Sequence, residues 1–382
     1  MKREKFLDKI EEEFKVNPVV AILGPRQCGK TTISKQYIAR KNNIPKENYF
    51  DLENDRDIQR LQDPILVLSQ LTGLIVIDEI QKIPELFPRL RVLVDNDELN
   101  QKYLILGSAS RDLIKQSSET LAGRISYLEL TPFTYSEVLD LENLWIRGGY
   151  PRSFLAESEE ISLKWRKSFV KTYLERDIPS LGIEIPSDHL RRFWMMLAHY
   201  HGCIFNASEM GRSLGFSHKT MQHYADILSG TFMIRQLQPW FENIGKRQVK
   251  STKIYMRDSG IFHSLIGVNS YSDLLIHPKL GASWEGLALE EIIRHFKADQ
   301  EECYFWATHQ QAELDLLIIK NGKKYGFEMK YSGAPNLTKS MQIAQNDLSL
   351  DSMIVVYPGN VNYLLKNNIE VIGLKNLLNN EY

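Results

Sequence analysis

The stretch Gly24-Pro25-Arg26-Gln27-Cys28-Gly29-Lys30-Thr31 decides how the first third of this chain is read. It follows the G-x-x-x-x-G-K-[ST] spacing in full, after an apolar run at Val19–Leu23 and before a helical pattern over 32–39. A strand, a glycine-rich turn and a helix in that order make a phosphate cradle. The glycines let the backbone wrap closely, and the N–H groups of the turn and helix start face an anion. On this reading Gly24, Pro25, Arg26, Gln27, Cys28, Gly29, Lys30, Thr31 and Thr32 surround a nucleotide. Lys30 reaches the β- and γ-phosphates, Thr31 offers its hydroxyl to Mg2+, and ATP with Mg2+ is the expected ligand pair.

The other parts of such a site lie on other strands. Leu74-Ile75-Val76-Ile77 runs apolar into Asp78-Glu79. An aspartate at that strand end holds the Mg2+ shell, and the next glutamate is placed to polarise an attacking water, which favours hydrolysis over transfer to a small molecule. A strand over 103–106 ends in Gly107-Ser108; if it resembles the additional-strand class of P-loop ATPases, whose strand beside the Asp-Glu strand ends in a polar sensor of the γ-phosphate, Ser108 is the candidate, beside the plainer reading of a Gly-Ser turn. Arg124, in Leu121-Ala122-Gly123-Arg124, is a candidate arginine finger or a surface residue. Further strands are expected at 49–52 and 125–130, and Phe6, Ile10 and Phe14 recur every four residues on an opening helix. Near-continuous apolar strands between helices predict a parallel sheet buried on both faces.

These residues carry a resemblance. The loop with Pro25-Arg26-Gln27, the Ile77-Asp78-Glu79-Ile80-Gln81 run, Leu121-Ala122-Gly123-Arg124 and Gly148-Gly149-Tyr150-Pro151 resemble a prokaryotic family of AAA-type P-loop ATPases that carry a C-terminal domain of unknown function. The likeness continues through Ile254-Tyr255-Met256-Arg257-Asp258-Ser259-Gly260 and Trp284-Glu285. It implies an ATP-hydrolysing core with Arg124 in a shared motif. With no obvious finger in cis, Arg124 is expected to act between subunits of a homo-oligomer.

Residues 150–260 read as mostly helical, with helices at 157–177 and 187–200. Helical patterns at 206–214 and 217–228 flank Gly215, and Met221, Tyr224, Ala225 and Leu228 share one apolar face. Two strand-like pieces, 232–237 and 253–256, enclose a loop bearing Lys246, Arg247 and Lys250. The pattern is that of a winged helix. From 187 to 260 ten Lys and Arg stand against five Asp and Glu, which leaves −6 for the rest of a chain of net charge −1. Two readings stay open: contact with DNA, or subunit packing with a solvated basic face.

In residues 261–382, Asn321-Gly322 lies between two strand-like runs and predicts a two-residue type I′ hairpin. Lys320 then faces Lys323 and Asp315 faces Glu328, so Glu313, Asp315, Glu328 and Lys330 project from one face. Two carboxylates at that spacing share a divalent cation, and a neighbouring lysine orients a water near a phosphodiester. Asp315 followed by Glu328-Met329-Lys330 resembles the PD-(D/E)xK nucleases, with Glu285 matching their helical carboxylate; Leu314 stands where those proteins often have proline. The resemblance implies Asp315, Glu328 and Glu285 as metal ligands and Lys330 as the catalytic lysine. Cross-strand ion pairs on a wet face are the plainer alternative.

The expected organisation is thus an α/β multidomain chain: an ATPase domain over 1–149, a helical and winged-helix segment over 150–260, and a nuclease-like domain over 261–382. Two functions follow, an ATP-driven machine acting on DNA and possessing a cleavage domain, or an ATP-dependent regulatory switch whose later segments only bind partners. With 382 residues, 47 Lys and Arg against 48 Asp and Glu, 43% hydrophobic and 25% charged residues, the chain is neither a basic nucleic-acid coat nor disordered. No apolar run nears the roughly 20 residues of a membrane span, and the start resembles no signal peptide. Cys28, Cys203 and Cys303 form no metal knuckle or disulfide framework, so a reducing cytoplasm is the expected setting.

Overall fold

The computed structural model describes residues 1–41, 44–109, 120–242, 248–309, 312–366 and 368–380, apart from the side chain of Asp97. They form an α/β chain of two compact units, where the sequence suggested three segments. The first comprises Met1–Pro132, Glu175–Glu184 and Gly230–Phe232; the second comprises Phe133–Leu174, Ile185–Ser229 and Met233–Tyr382.

In the first unit β1 (Val19–Leu23), β2 (Tyr49–Asp51), β3 (Gly73–Asp78), β4 (Gln101–Gly107) and β5 (Ile125–Glu129) form one parallel sheet in the order β2-β3-β4-β1-β5. Alternate residues serve opposite faces. Val20, Ile22, Leu104 and Leu106 pack with Phe6, Ile10 and Phe14 of the opening helix Glu4–Val16, whereas Val19, Ala21, Tyr103 and Ile105 pack with Phe87 and Leu90 on the other side. Each fully buried side chain of this kind contributes roughly 1.5–3 kcal/mol. The β1–β4–β3 adjacency sets the phosphate loop, Ser108 and Asp78-Glu79 along one sheet edge, at the carboxyl ends of the strands where α/β folds bind ligands.

The second unit is organised by a nine-stranded sheet. β6 (Cys203–Ile204), β7 (Ile234–Pro239), β8 (Lys253–Met256), β9 (Cys303–Ala307), β10 (Glu313–Lys320), β11 (Lys323–Met329), β12 (Ser352–Tyr357), β13 (Tyr363–Lys366) and β14 (Ile369–Gly373) are ordered β13-β14-β12-β11-β10-β9-β7-β8-β6. The sequence boundary at 260 therefore falls inside one sheet, because β7 runs parallel to β9 with Gln238 facing Tyr304. Asn321 and Gly322 adopt φ 52° and 75°, the two positive values that a type I′ turn requires. The ladder from Lys320↔Lys323 to Leu316↔Phe327 has the expected register.

Helices Ala207–Leu214 and His218–Gly230 flank Gly215, which caps the first in a left-handed conformation. Met221, Tyr224, Ala225 and Leu228 are buried, while His218, Lys219, Gln222 and His223 are exposed. Helix Glu159–Thr172 ends earlier than expected and passes into a π-helical turn, Tyr173–Asp177. Two quoted motifs meet in this unit: Asp258 accepts hydrogen bonds from the N–H groups of Gly149 (2.8 Å) and Ile261 (2.9 Å). A Cβ on Gly260 would stand 2.1 Å from the Arg147 carbonyl oxygen, so only glycine fits that approach.

Candidate nucleotide site and a buried carboxylate–lysine cluster

The loop after β1 is shaped by its close contacts. A Cβ on Gly24 would lie 2.2 Å from the Leu130 carbonyl oxygen, and Gln27 and Gly29 take positive φ. The Cys28 thiol is buried and donates to Leu130 O at 3.3 Å, so any part it plays toward a nucleotide lies in its backbone. Lys30 Nζ donates to the carbonyl oxygens of Gly24 and Pro25, both at 2.9 Å. Its ammonium therefore rests on neutral acceptors at the loop.

Thr31 Oγ1 donates to Asp78 Oδ2 at 2.7 Å, and the Tyr49 hydroxyl donates to the same oxygen at 2.9 Å. Burial pushes the Asp78 carboxyl up; those hydrogen bonds oppose the shift and the neighbouring Glu79 adds to it. Mg2+ takes one or two carboxylates together with phosphate oxygens and waters. A hydroxyl in contact with a buried carboxylate beside the loop fits that donor set.

Glu79 adopts the left-handed conformation (φ 57°), uncommon for a residue with a side chain and frequent at functional turns. Its carboxylate is held by the Gln81 amide and by Ser108 Oγ at 3.1 Å; Gln81 also donates to Ser108 Oγ at 2.9 Å. Ser108 thus lies against Glu79, and Gln81, part of the quoted motif but given no role, closes the triad. Arg26 pairs with Asp177 and Glu53. Asp177 lies 151 residues away in sequence, and no local pattern signals it.

Arg124 is elsewhere. It precedes Ile125, which faces Val19 at the start of β1, whereas the loop begins after Leu23 at the other end. Five residues at about 3.3 Å separate the two edges by roughly 16 Å. Its guanidinium donates to Asp95 and stays partly exposed.

In the second unit the β10–β11 hairpin brings Asp315, Glu328 and Lys330 together, and helix Leu280–His295 adds Glu285 to the cluster. Met329 N donates to Asp315 Oδ2 at 2.9 Å, and Lys330 Nζ donates to Glu328 Oε1 at 2.6 Å. The sequence reading missed Lys253 on β8. Its side chain is 4% exposed, and its ammonium lies 3.2 Å from Glu285 Oε1 and 3.6 Å from Asp315 Oδ1 and pairs with Glu313. Tyr255 donates to Glu285 Oε1 at 2.5 Å.

Burial, then Asp315, pushes Glu285 up to about 7 and Glu328 up to about 8. Burial alone would lower Lys253, but the surrounding acids outweigh it and hold the lysine well above its ordinary value. Among the described residues no group of three or more His, Cys, Asp or Glu is arranged to hold a metal ion. Of the carboxylates expected to bind a divalent cation, Glu285 and Asp315 already lie against the Lys253 ammonium and Glu328 against that of Lys330, so the arrangement does not fit that metal. Lys246 and Arg247 of the basic loop lie outside the described residues; Lys250 is exposed. Among the described residues no helix is long and apolar enough to cross a membrane.

Comparison with known proteins accords with the first unit. Residues 16–139 match the model of an AAA domain, residues 138–272 a domain of unknown function (DUF8612) and residues 280–377 another (DUF4143). The chain is 46% identical over 363 residues to the uncharacterized protein Rv2008c of Mycobacterium tuberculosis and, equally, to Mb2031c of Mycobacterium bovis, with 94% of this chain and 81% of each relative covered. Among solved structures it is similar to the Walker-type ATPase PABY2304 of Pyrococcus abyssi, at 15% identity and a TM-score of 0.48, over 69% of this chain and 95% of that one.

Proposed function

The chain belongs to the family of these two mycobacterial proteins and has a P-loop AAA-type ATPase fold, and we propose that it hydrolyses ATP with Mg2+ to drive action on DNA. The observation that carries the hydrolase reading is the contact of Thr31 with Asp78 beside the loop, with Glu79 one residue further on. Lys30 exchanges the Gly24 and Pro25 carbonyls for the β- and γ-phosphates. Thr31 and Asp78 would hold Mg2+, and the ion would supply positive charge to the phosphate oxygens. Glu79 polarises the attacking water, oriented through Ser108 and Gln81. Lys30→Ala should abolish ATP binding. Glu79→Gln should keep binding and lower turnover by about 10²–10⁴-fold, since only base catalysis is removed. Calorimetry and phosphate release separate the two, and equal loss of binding in both variants would count against Glu79 as the base.

Arg124 acts in trans, within a homo-oligomer. Its distance from the loop of its own chain supports this.

The DNA part rests on residues 187–260, read as a winged helix. Their surplus of positive charge and the exposed His218, Lys219, Gln222 and His223 support contact with the phosphate backbone. Affinity for duplex DNA, read by fluorescence anisotropy, should fall steeply between 50 and 200 mM salt, the range over which phosphate contacts lose about 10³–10⁵ in affinity when six to ten are made. It should vanish when Lys246, Arg247 and Lys250 are all changed to Glu. Tight binding indifferent to both would sink it.

A second reading, a regulatory switch whose later segments only bind partners, is favoured by one observation. Lys253 occupies the place among the carboxylates that metal-dependent cleavage, the PD-(D/E)xK expectation, would need for its cation.

A further inference from the structure

The cluster on the second unit carries an inference that does not depend on the ATPase reading. Strand residues two apart share a face, and β8 sends both Lys253 and Tyr255 into the same group of acids. The strand is pinned on both sides, by Ile234↔Met256 through Leu237↔Lys253 with β7 and by Cys203↔Ile254 with β6. Lys253 is therefore fixed in place by the sheet. Its Nζ lies within 4 Å of oxygens from Glu285, Glu313 and Asp315.

A divalent ion drawing on the same oxygens needs them at about 2.0–2.6 Å, with no cation among them. An ammonium at this position blocks it by volume and by charge. Glu328, beside this centre and 5% exposed, has a cation of its own: its Oε1 accepts from Lys330 Nζ at 2.6 Å, while among the described residues its Oε2 has no hydrogen-bond partner.

We infer that Lys253 is the resident cation of the Glu285–Glu313–Asp315 centre, standing where a divalent metal would otherwise bind, and that its removal converts the centre into a site for Mn2+ or Mg2+. The native centre is thus closed by its own chain. The ligand class it rejects, a hard divalent cation, is the one that the carboxylates alone would select.

The test is Mn2+ binding by the nucleotide-free full-length protein, read by electron paramagnetic resonance. Wild type and Asp315→Asn should take up Mn2+ equally weakly. Lys253→Met should gain one site per chain, at least tenfold tighter than anything in wild type, and the double variant with Asp315→Asn should lose it. Lys253→Arg, which keeps a cation, should gain nothing. A wild-type Mn2+ site removed by Asp315→Asn overturns the inference. So does a Lys253→Met protein with native circular dichroism and no new site. If Lys253→Met does not fold, the comparison of wild type with Asp315→Asn still decides.

Discussion

Two lysines, Lys30 and Lys253, are both about 5% exposed and both stand near carboxylates, yet they differ in what they touch. Lys30 rests on two neutral carbonyl oxygens, while Asp78 and Glu79 are satisfied by hydroxyls and an amide. Lys253 is in ion contact with three acids. In the first arrangement a lysine and two acids are kept apart, so each has room for a charged ligand. In the second they neutralise one another. Residue types alone therefore predict ligand chemistry poorly; what decides it is whether the opposite charges have already met.

The largest expected effect tests this directly. Lys253→Ala should destabilise the second unit by about 3–5 kcal/mol, the cost of leaving buried acids uncompensated. Lys30→Ala should cost the first unit only about 1–2 kcal/mol, the worth of hydrogen bonds to neutral acceptors. Urea unfolding followed by a probe in each unit would read both, and equal losses would break the comparison.

A smaller effect concerns pH. The carboxyl of Glu328 is raised in the folded protein to about 8 from an ordinary 4.5. The stability it supplies is thus complete below about pH 4.5 and is lost as pH rises through about 8. A Glu328→Gln variant, whose amide does not ionise, should gain on the wild type over that interval, measured as the difference in urea midpoints at pH 5 and pH 9. A constant difference would show that the acid is ionised throughout.

The smallest effect concerns the first unit alone. Arg124 and Asp95 form a solvent-screened pair at the surface, so Arg124→Ala should leave stability nearly unchanged while lowering ATP turnover. Mixing it with Lys30→Ala protein should restore part of the activity, because each subunit supplies what its neighbour lacks. No recovery, with subunit exchange demonstrated, would assign Arg124 a structural role.

Local patterns explain what was legible in the sequence. The phosphate loop is eight consecutive residues with fixed backbone demands, and the hairpin register follows from Asn321-Gly322 alone. The apolar strands of the first sheet and the alternation of Met221, Tyr224 and Leu228 needed only periodicity. The partners of these groups were not legible, because they come from afar. Asp177 reaches Arg26, and Lys253 reaches Glu285, through chain reversals that no short pattern encodes. The strands Tyr363–Lys366 and Ile369–Gly373 escaped notice because the first, at the sheet edge, is short and largely polar or exposed. The parallel pairing of β7 with β9 left no trace in composition.

That pairing binds the two later regions into one unit of inheritance. Trp240 N donates to Phe305 O at 2.7 Å and Val249 N to Ala307 O at 3.0 Å, so backbone beyond β7 as well as β7 itself bonds to the first strand of the C-terminal region. A gene fusion or protease that parts the chain near 270 would bare a row of unpaired N–H and C=O groups on both fragments, inviting each to pair with another copy. Shuffling either region alone into a new protein would therefore yield aggregates, and descendants that retain one should retain the other.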